Sequence, residues 1–226
     1  MSLEPLVRCR GAARTYGEGS TATVALQPTD CEVEPRARIA LVGPSGSGKS
    51  TLIHLVAGLD EPTSGAVEWP AIGERDALRP GRVAVIFQGP SLLPPLTVLE
   101  NTALPLVLAG EADTPARARA LQTLETLGLL DLCDKLPEEI SGGQAQQVAV
   151  ARALAGEPSL ILADEPTGQV DRATGARIAD VLLAAADASG AGLLIATHDP
   201  TVAARLPLRW QINSGRLEPS HELKPA

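Results

Sequence analysis

The sequence predicts an α/β domain built around a mixed, largely parallel sheet. Short apolar runs, which are typical of buried strands, alternate with longer helical stretches along much of the 226-residue chain. Strands that are separated by helices pair in parallel, because the helix supplies the crossover connection that parallel neighbours need. The apolar runs that predict central strands are residues 38–42, 82–87, 160–163 and 193–196.

Two stretches depart from this alternation. The first thirty-odd residues, which include the runs 21–26 and 31–33, predict antiparallel strands that form an edge subdomain. Between Pro90 and Ala155 three helical runs follow one another with no strand between them, so we expect a helical insert there. The expected organisation is a single domain, with a core of residues 1–89 and 156–217, a helical insert at about 90–155, and a frayed polar tail at 218–226.

Composition limits the classes of function that the chain can have. It contains 19 basic and 27 acidic residues, a net charge of −8, so no nucleic acid is expected as its partner, because no basic field is available to bind phosphates. No apolar run is long enough to span a membrane, and the first ten residues, which include Glu4, lack the apolar core of a secretory signal. We therefore expect a cytoplasmic protein that reaches a membrane only through a partner.

A phosphate-binding loop is predicted between the first central strand and the helix that follows it. Residues 43–50 match the pattern G-x-x-x-x-G-K-[ST], in which glycines let backbone N–H groups point at phosphate oxygens. Lys49 would add a positive charge near the β- and γ-phosphates, and the Ser50 hydroxyl could bind Mg²⁺. The N-K-x-D pattern of guanine sites is absent. The expected nucleotide-binding residues here are Gly43, Pro44, Ser45, Gly46, Ser47, Gly48, Lys49, Ser50 and Thr51.

Two carboxylates follow the apolar run 160–163. At the end of a strand beside the phosphate loop, Asp164 could orient the water shell of Mg²⁺. Glu165 would project toward the γ-phosphate and could polarise an attacking water. An acidic pair at a strand end can also be a solvated turn or a helix cap, but its combination with the phosphate loop favours the catalytic interpretation.

A second anion site is predicted at the start of the helical run 141–155. Ser141 is a natural N-cap, Gly142 and Gly143 permit close approach of the backbone, and Gln144 follows them. A helix N-terminus carries about half a positive charge. The two anion sites lie on different elements, so one nucleotide could use both only if another copy of the chain, or a homologue, brought its own helix across. This suggests a dimer with nucleotide in the interface.

From residue 6 to about residue 216, the chain resembles the ATP-binding subunits of ABC transporters. The motifs that carry the resemblance are the phosphate loop, Phe87-Gln88, residues 141–144, Asp164-Glu165 and residues 196–199. The resemblance implies a P-loop NTPase fold, an ATPase activity, and ATP and Mg²⁺ as cofactors. It also implies a sandwich dimer in which residues 141–144 contact the γ-phosphate held by the opposite subunit.

The resemblance further implies roles for single residues. Gln88 would sense Mg²⁺ and the attacking water, and would join Ser50 and Asp164 at the metal. Together with Lys49 and Glu165, His198 would serve the reaction by holding the γ-phosphate and the water; the alternative is a surface histidine in a turn. Asp171 would lie at the dimer interface near the opposing phosphate loop. Tyr16 would stack on adenine, although an ordinary tyrosine of the core or of an edge strand fits the sequence as well.

Residues 58–65 and 91–101 are similar to those of the lipoprotein-releasing and macrolide- or peptide-export branch of the family. This implies a subunit that powers a separate membrane permease from the inner face of the cell membrane, paired with itself or with a second ATP-binding subunit. The alternative is a signalling or mechanical switch on a membrane partner, as in division-associated relatives. The chain departs from the family at Gln147, where arginine is general, and at Gln169-Val170. These departures bear on turnover, not on the nucleotide site.

Overall fold

The structure is a computed structural model, and it describes residues 4–222. Within this range the chain forms two sheets and a set of helices, joined by short turns of 3₁₀ helix. In chain order the strands and α-helices are β1 (Val7–Tyr16), β2 (Thr23–Val33), β3 (Arg38–Val42), α1 (Lys49–Val56), β4 (Ser64–Glu68), β5 (Val83–Ile86), α2 (Val98–Leu108), α3 (Asp113–Thr126), α4 (Gly142–Ala155), β6 (Leu160–Asp164), α5 (Arg172–Ser189), β7 (Gly192–Thr197), α6 (Pro200–Ala203), β8 (Leu208–Asn213) and β9 (Arg216–Glu222).

The larger sheet has the strand order β5-β6-β7-β3-β8-β9, and only the β8–β9 pair is antiparallel. This confirms the predicted fold class and the four predicted central strands. Strands β6 and β7 are buried along their whole length, because both faces of the sheet are covered. Alternate residues serve the two faces: Leu41 and Leu162 pack toward α1 and the smaller sheet, while Ala40 and Ile161 pack toward α5 and α6.

Parallel pairing brings the carboxyl ends of the central strands to one edge of the sheet. The segments that follow β3, β5, β6 and β7 begin at Gly43, Phe87, Glu165 and His198 respectively. Every motif expected to contact phosphate in this subunit therefore leaves the sheet at the same edge. This is the edge at which open α/β sheets bind ligands.

The smaller sheet is antiparallel, with the order β2-β1-β4. The runs 21–26 and 31–33, predicted as separate pieces, belong mostly to one long strand, β2. Pro28 lies inside β2, where it is tolerated because β2 is an edge strand and the register with β1 shifts between Ala12 and Arg14. Strand β4 completes the sheet, although the sequence analysis did not predict it.

The three helical runs expected between Pro90 and Ala155 are present as α2, α3 and α4. They share a hydrophobic core of their own, to which Val98, Leu124 and Val148 contribute. Helix α2 begins at a reciprocal capping box, in which Thr97 and Glu100 each bind the other's backbone N–H. Among residues 4–222, none of the helices combines the length and the apolar character that crossing a bilayer requires.

The end of the chain differs from the expectation of a frayed polar tail. Strand β9 continues to Glu222, and its backbone pairs with β8 at Gln211↔Glu218 and Leu208↔Glu222. The expectation is wrong for residues 218–222, because a turn at Ser214-Gly215 closes a hairpin that extends the sheet. The remaining residues of the expected tail, 223–226, lie outside the described part of the chain.

Candidate functional site

The phosphate loop is shaped by close contacts between backbones. A side-chain carbon on Gly43 would lie 2.2 Å from the Ile212 carbonyl oxygen, and one on Gly48 would lie 2.4 Å from that of Ala25. Gly48 also has a φ of 107°, in the region that favours glycine, and it caps the N-terminus of α1. The loop is therefore packed onto β8 and β2, with the N-terminus of α1 behind it. This arrangement suits an anion.

Lys49 lies in the mouth of this loop with only 6% of its surface exposed. Its Nζ donates hydrogen bonds to the carbonyl oxygens of Gly43, at 2.9 Å, and Pro44, at 3.1 Å. The same Nζ lies 3.5 Å from Glu165 Oε1. A buried ammonium group requires such partners, because burial without them is costly. The positive charge is therefore held at the loop and faces the acidic segment after β6.

Glu165 connects three of the segments that leave the sheet edge. Its Oε2 lies 2.7 Å from His198 Nδ1 and accepts a hydrogen bond from the His198 backbone N–H at 3.3 Å. Its Oε1 faces Lys49, and only 9% of Glu165 is exposed. The backbone of Glu165 has a φ of 48°, which is uncommon for a residue with a side chain. Such strained positions cluster at functional sites.

These residues line one open cleft of about 450 Å³. The cleft brings together most of the phosphate loop and the residues predicted for the reaction. Asp164, which precedes Glu165 in the chain, is not among the residues that line the cleft. Its Oδ1 is buried without a hydrogen-bond partner in the described residues, as is Ser47 Oγ. The residues lining the cleft are Ala25, Ser45, Gly46, Gly48, Lys49, Ser50, Thr51, Gln88, Glu165 and His198.

Tyr16 is not among the residues that line this cleft. Its hydroxyl donates to Asp60 Oδ2 at 2.9 Å, and the Arg14 guanidinium lies 4.7 Å from the centre of its ring. Arg14 and Asp60 are themselves an ion pair at 2.7 Å. The ring is thus fixed by its neighbours, and 40% of Tyr16 remains exposed.

The segment predicted as a second anion site lies at the start of α4, and its residues do not line the cleft. Ser141 Oγ accepts from the Gln144 backbone N–H at 3.2 Å, and Gln144 Oε1 accepts from the Ser141 N–H at 2.9 Å. Ser141 and Gly142 are exposed, and a side-chain carbon added to Gly142 would meet no atom within 4 Å. The predicted N-cap is confirmed, and its surroundings are open.

Asp171 lies beside this site, as the N-cap of α5. Its Oδ2 accepts from the Thr174 hydroxyl at 2.6 Å, and its Oδ1 accepts from the backbone N–H groups of Ala173 and Thr174. The pKa of Asp171 lies below its usual value, and the hydrogen bond from the Thr174 hydroxyl contributes most to this lowering. The two helix starts are neighbours, because a side-chain carbon on Gly143 would lie 3.7 Å from Thr174 Cγ2.

One buried polar residue near the cleft was missed by the sequence analysis. Gln146, on α4, is 1% exposed, and its Nε2 donates to the carbonyl oxygens of Phe87, at 3.0 Å, and Pro166, at 3.2 Å. No motif marks a glutamine in the middle of a helix. A polar residue on the buried face of that helix was the only available signal.

Comparisons with known proteins agree with this geometry. The profile of the family described as ABC transporter matches residues 26–168. The lipoprotein-releasing system ATP-binding protein LolD of Legionella pneumophila is 40% identical over 211 residues, which cover 90% of this chain and 93% of that protein.

Solved structures show the same similarity. A dimeric structure of the bacterial ABC transporter cassette MJ0796 superposes with a TM-score of 0.89 at 33% identity, covering 97% of this chain and all of that one. A second dimeric structure of that cassette, in a post-hydrolysis state bound to ADP and Pi, superposes with a TM-score of 0.87, with the same identity and coverage. The chain therefore belongs to the ABC transporter family and is an ATPase of that family.

Proposed function

We propose that this protein hydrolyses Mg²⁺-ATP in the described cleft and thereby powers a separate membrane permease of a system that releases or exports lipoproteins, peptides or drugs. The observation that carries the proposal is the contact set of Glu165. One carboxylate faces the buried ammonium of Lys49 on one side and the imidazole of His198 on the other. A cation, a general base and a polar side chain thus meet at a loop shaped for phosphate.

The phosphates of ATP would bind to the loop 43–51. Lys49 now donates to two loop carbonyls, and a bound phosphate would offer its Nζ stronger, charged acceptors. The first turn of α1 adds backbone N–H groups that have no partner within the helix. The exposed part of the Tyr16 ring would stack on the adenine, and its contacts with Arg14 and Asp60 would hold the ring in place.

The donor set of the cleft fits Mg²⁺, which prefers oxygen ligands and retains several of its waters. Asp164 Oδ1 is a buried carboxylate oxygen with no partner in residues 4–222, as expected of a group that completes its contacts through a hydrated cation. Ser50 and Gln88, which line the same cleft, would supply the other oxygens. When bound, Mg²⁺ neutralises negative charge on the phosphates.

Glu165 would accept a proton from the attacking water. Its carboxylate is held in place from two sides, so it can face the water with little loss of freedom. His198 is oriented by its 2.7 Å contact with Glu165 and would contact the water and the γ-phosphate from the other side of the cleft. Lys49 would stabilise negative charge that develops on the transferred phosphate.

The second anion site would act on the nucleotide of another subunit. Residues 141–144 and Asp171 form exposed helix starts that do not line the cleft of their own chain. The related cassette MJ0796 is dimeric. We infer a sandwich dimer, formed with a second copy or with a second ATP-binding subunit, that binds peripherally to the inner face of the membrane through the permease. The similarity to LolD supports a lipoprotein-handling system.

Replacement of Lys49 by alanine tests this function. Because Lys49 is the cation of the phosphate loop, we expect Lys49→Ala to fold, by circular dichroism, but to lose ATP turnover by at least about 10²-fold. Lys135→Ala removes an exposed lysine far along the chain and serves as the matched control, with turnover unchanged. Normal turnover in a folded Lys49→Ala protein would refute the assignment of this cleft.

A further inference from the structure

Gln146 makes contacts that stability alone does not explain. It lies inside α4 with 1% of its surface exposed, and both of its hydrogen bonds are donated to backbone carbonyls outside that helix. Its Oε1 is buried with no hydrogen-bond partner in the described residues. This unpaired amide oxygen costs stability, which offsets part of what the two donated hydrogen bonds contribute.

The two carbonyls that Gln146 binds flank the reaction cleft. Phe87 immediately precedes Gln88, and Pro166 immediately follows Glu165. One side-chain amide therefore ties together the segment after β5, the segment after β6, and α4, whose first turn follows the Ser141 cap.

A second side chain of the same helix reinforces this connection. Arg152 donates to the Ser91 carbonyl oxygen at 2.8 Å and to Ser91 Oγ at 2.5 Å. Gln146 and Arg152 thus hold the segment 87–91 near both of its ends, and Gln88 lies between the two attachment points. The position of Gln88 in the cleft is set by α4 as well as by the sheet.

We propose that Gln146 is a positioning residue for hydrolysis, which fixes the backbone beside Gln88 and Glu165 to the helix that carries the second anion site. This inference rests on the proposed function of the cleft. Through Gln146, the contacts that residues 141–144 make with another subunit's nucleotide are linked rigidly to the hydrolytic groups of their own cleft. Gln146 does not line the cleft and acts only through these two carbonyls.

Gln146→Met, compared with Gln122→Met, tests this inference. Methionine keeps the length and the helix propensity of glutamine but cannot donate a hydrogen bond. Gln122 is an exposed glutamine on α3, in the same helical region, and it does not line the cleft. We expect Gln146→Met to fold with a lowered unfolding midpoint, because the carbonyls of Phe87 and Pro166 lose their donor. Its affinity for a fluorescent ATP analogue and its KM should stay unchanged while kcat falls about tenfold, and Gln122→Met should keep kcat.

Hydrogen exchange supplies a readout that is independent of turnover. In Gln146→Met the backbone amides of residues 88, 89, 91 and 167–169 should exchange faster than in the unaltered chain and in Gln122→Met. Unchanged kcat together with unchanged exchange in a folded Gln146→Met protein would overturn the inference. If the unaltered chain itself showed no ATP turnover, the proposed function would be refuted. The comparison of hydrogen exchange would still decide the role of Gln146.

Gln146→Glu covers the case in which Gln146→Met does not fold. A buried carboxyl can donate to a carbonyl only when it is protonated. The turnover of Gln146→Glu relative to the unaltered chain should therefore rise as the pH falls from about 8 to about 6, because burial raises the pKa of a carboxyl. A ratio that does not depend on pH would overturn the inference.

Discussion

Gly142→Ala should affect the stability of the folded chain and its ATP turnover differently. The turnover depends on the proposed contact between residues 141–144 and the nucleotide of a second subunit. Gly142 is the first residue of α4, and its backbone φ lies outside the positive range that disfavours side chains. An added side-chain carbon would meet no atom within 4 Å, so the folded chain accommodates it without strain. Alanine exceeds glycine in helix propensity by about 1 kcal/mol in a helix interior, and by less at the first position. The free energy of unfolding should therefore stay the same or rise by up to about 1 kcal/mol.

Activity should respond in the opposite direction. If residues 141–144 approach the γ-phosphate of the opposite subunit, a methyl group on Gly142 occupies space that the phosphate needs. We expect ATP turnover to fall by about 10²-fold, the usual effect of losing an electrostatic contact in a reaction centre. Urea unfolding and phosphate release, measured on the same preparation, give the two quantities.

The matched control for this variant is Gly156→Ala, at the other end of the same helix. Gly156 has a φ of −81°, and an added carbon would lie 3.9 Å from Gly81 Cα, an ordinary contact. Its turnover should match that of the unaltered chain. Full turnover in Gly142→Ala, with stability unchanged, would refute the idea that this glycine faces a nucleotide.

Two further predictions concern the cleft and the helical region. His198→Ala removes the side chain that lies 2.7 Å from Glu165 Oε2 but leaves the phosphate loop intact, so ATP binding should persist while hydrolysis slows by about 10²-fold; reduced binding with normal turnover of bound nucleotide would assign His198 another role. Glu100→Gln removes a charge at the N-terminus of α2, where the Thr97 backbone N–H and then its hydroxyl lower the pKa of Glu100. Because the folded pKa is lowered, the unaltered chain should be more stable than the variant by about 0.5 kcal/mol at neutral pH. That difference should shrink as the pH falls from about 4 through the lowered pKa, and a difference that does not change with pH in this range would contradict this origin.

Local patterns in the sequence predicted the parts of the molecule that local chemistry determines. The loop 43–51 could be predicted because its glycines, lysine and hydroxyl are consecutive, and the Ser141 cap because its partner is three residues away. The central strands could be predicted because burial on both faces makes them uniformly apolar. The role of Gln146 could not be predicted, because its partners are the backbone carbonyls of Phe87 and Pro166. Every residue has such a carbonyl, so no pattern in the sequence marks these two.

Contacts between residues that are distant in the sequence explain the remaining differences between the predicted and the observed structure. Strand β9 is rich in polar residues and becomes a strand only because β8 offers it an edge. Pro28 divides the pattern of β2 in the sequence but not its pairing with β1. Tyr16 is drawn into a cluster with Arg14 and Asp60, and Asp60 is 44 residues away along the chain. Each outcome depends on partners that are distant in sequence.

We propose that two subunits enclose ATP and that Glu165 is the base for the hydrolysis that lets them separate. Glu165→Gln keeps the shape of the side chain but cannot accept the proton, so a nucleotide-bound dimer should accumulate. Size-exclusion chromatography with light scattering on Glu165→Gln should give a dimer with Mg²⁺-ATP and a monomer with ADP. Adding Ser141→Arg should restore the monomer while ATP still binds to the phosphate loop, since an exposed arginine at the start of α4 would crowd the opposing γ-phosphate. A Glu165→Gln protein that binds Mg²⁺-ATP and yet stays monomeric at high concentration would contradict a sandwich of two copies of this chain.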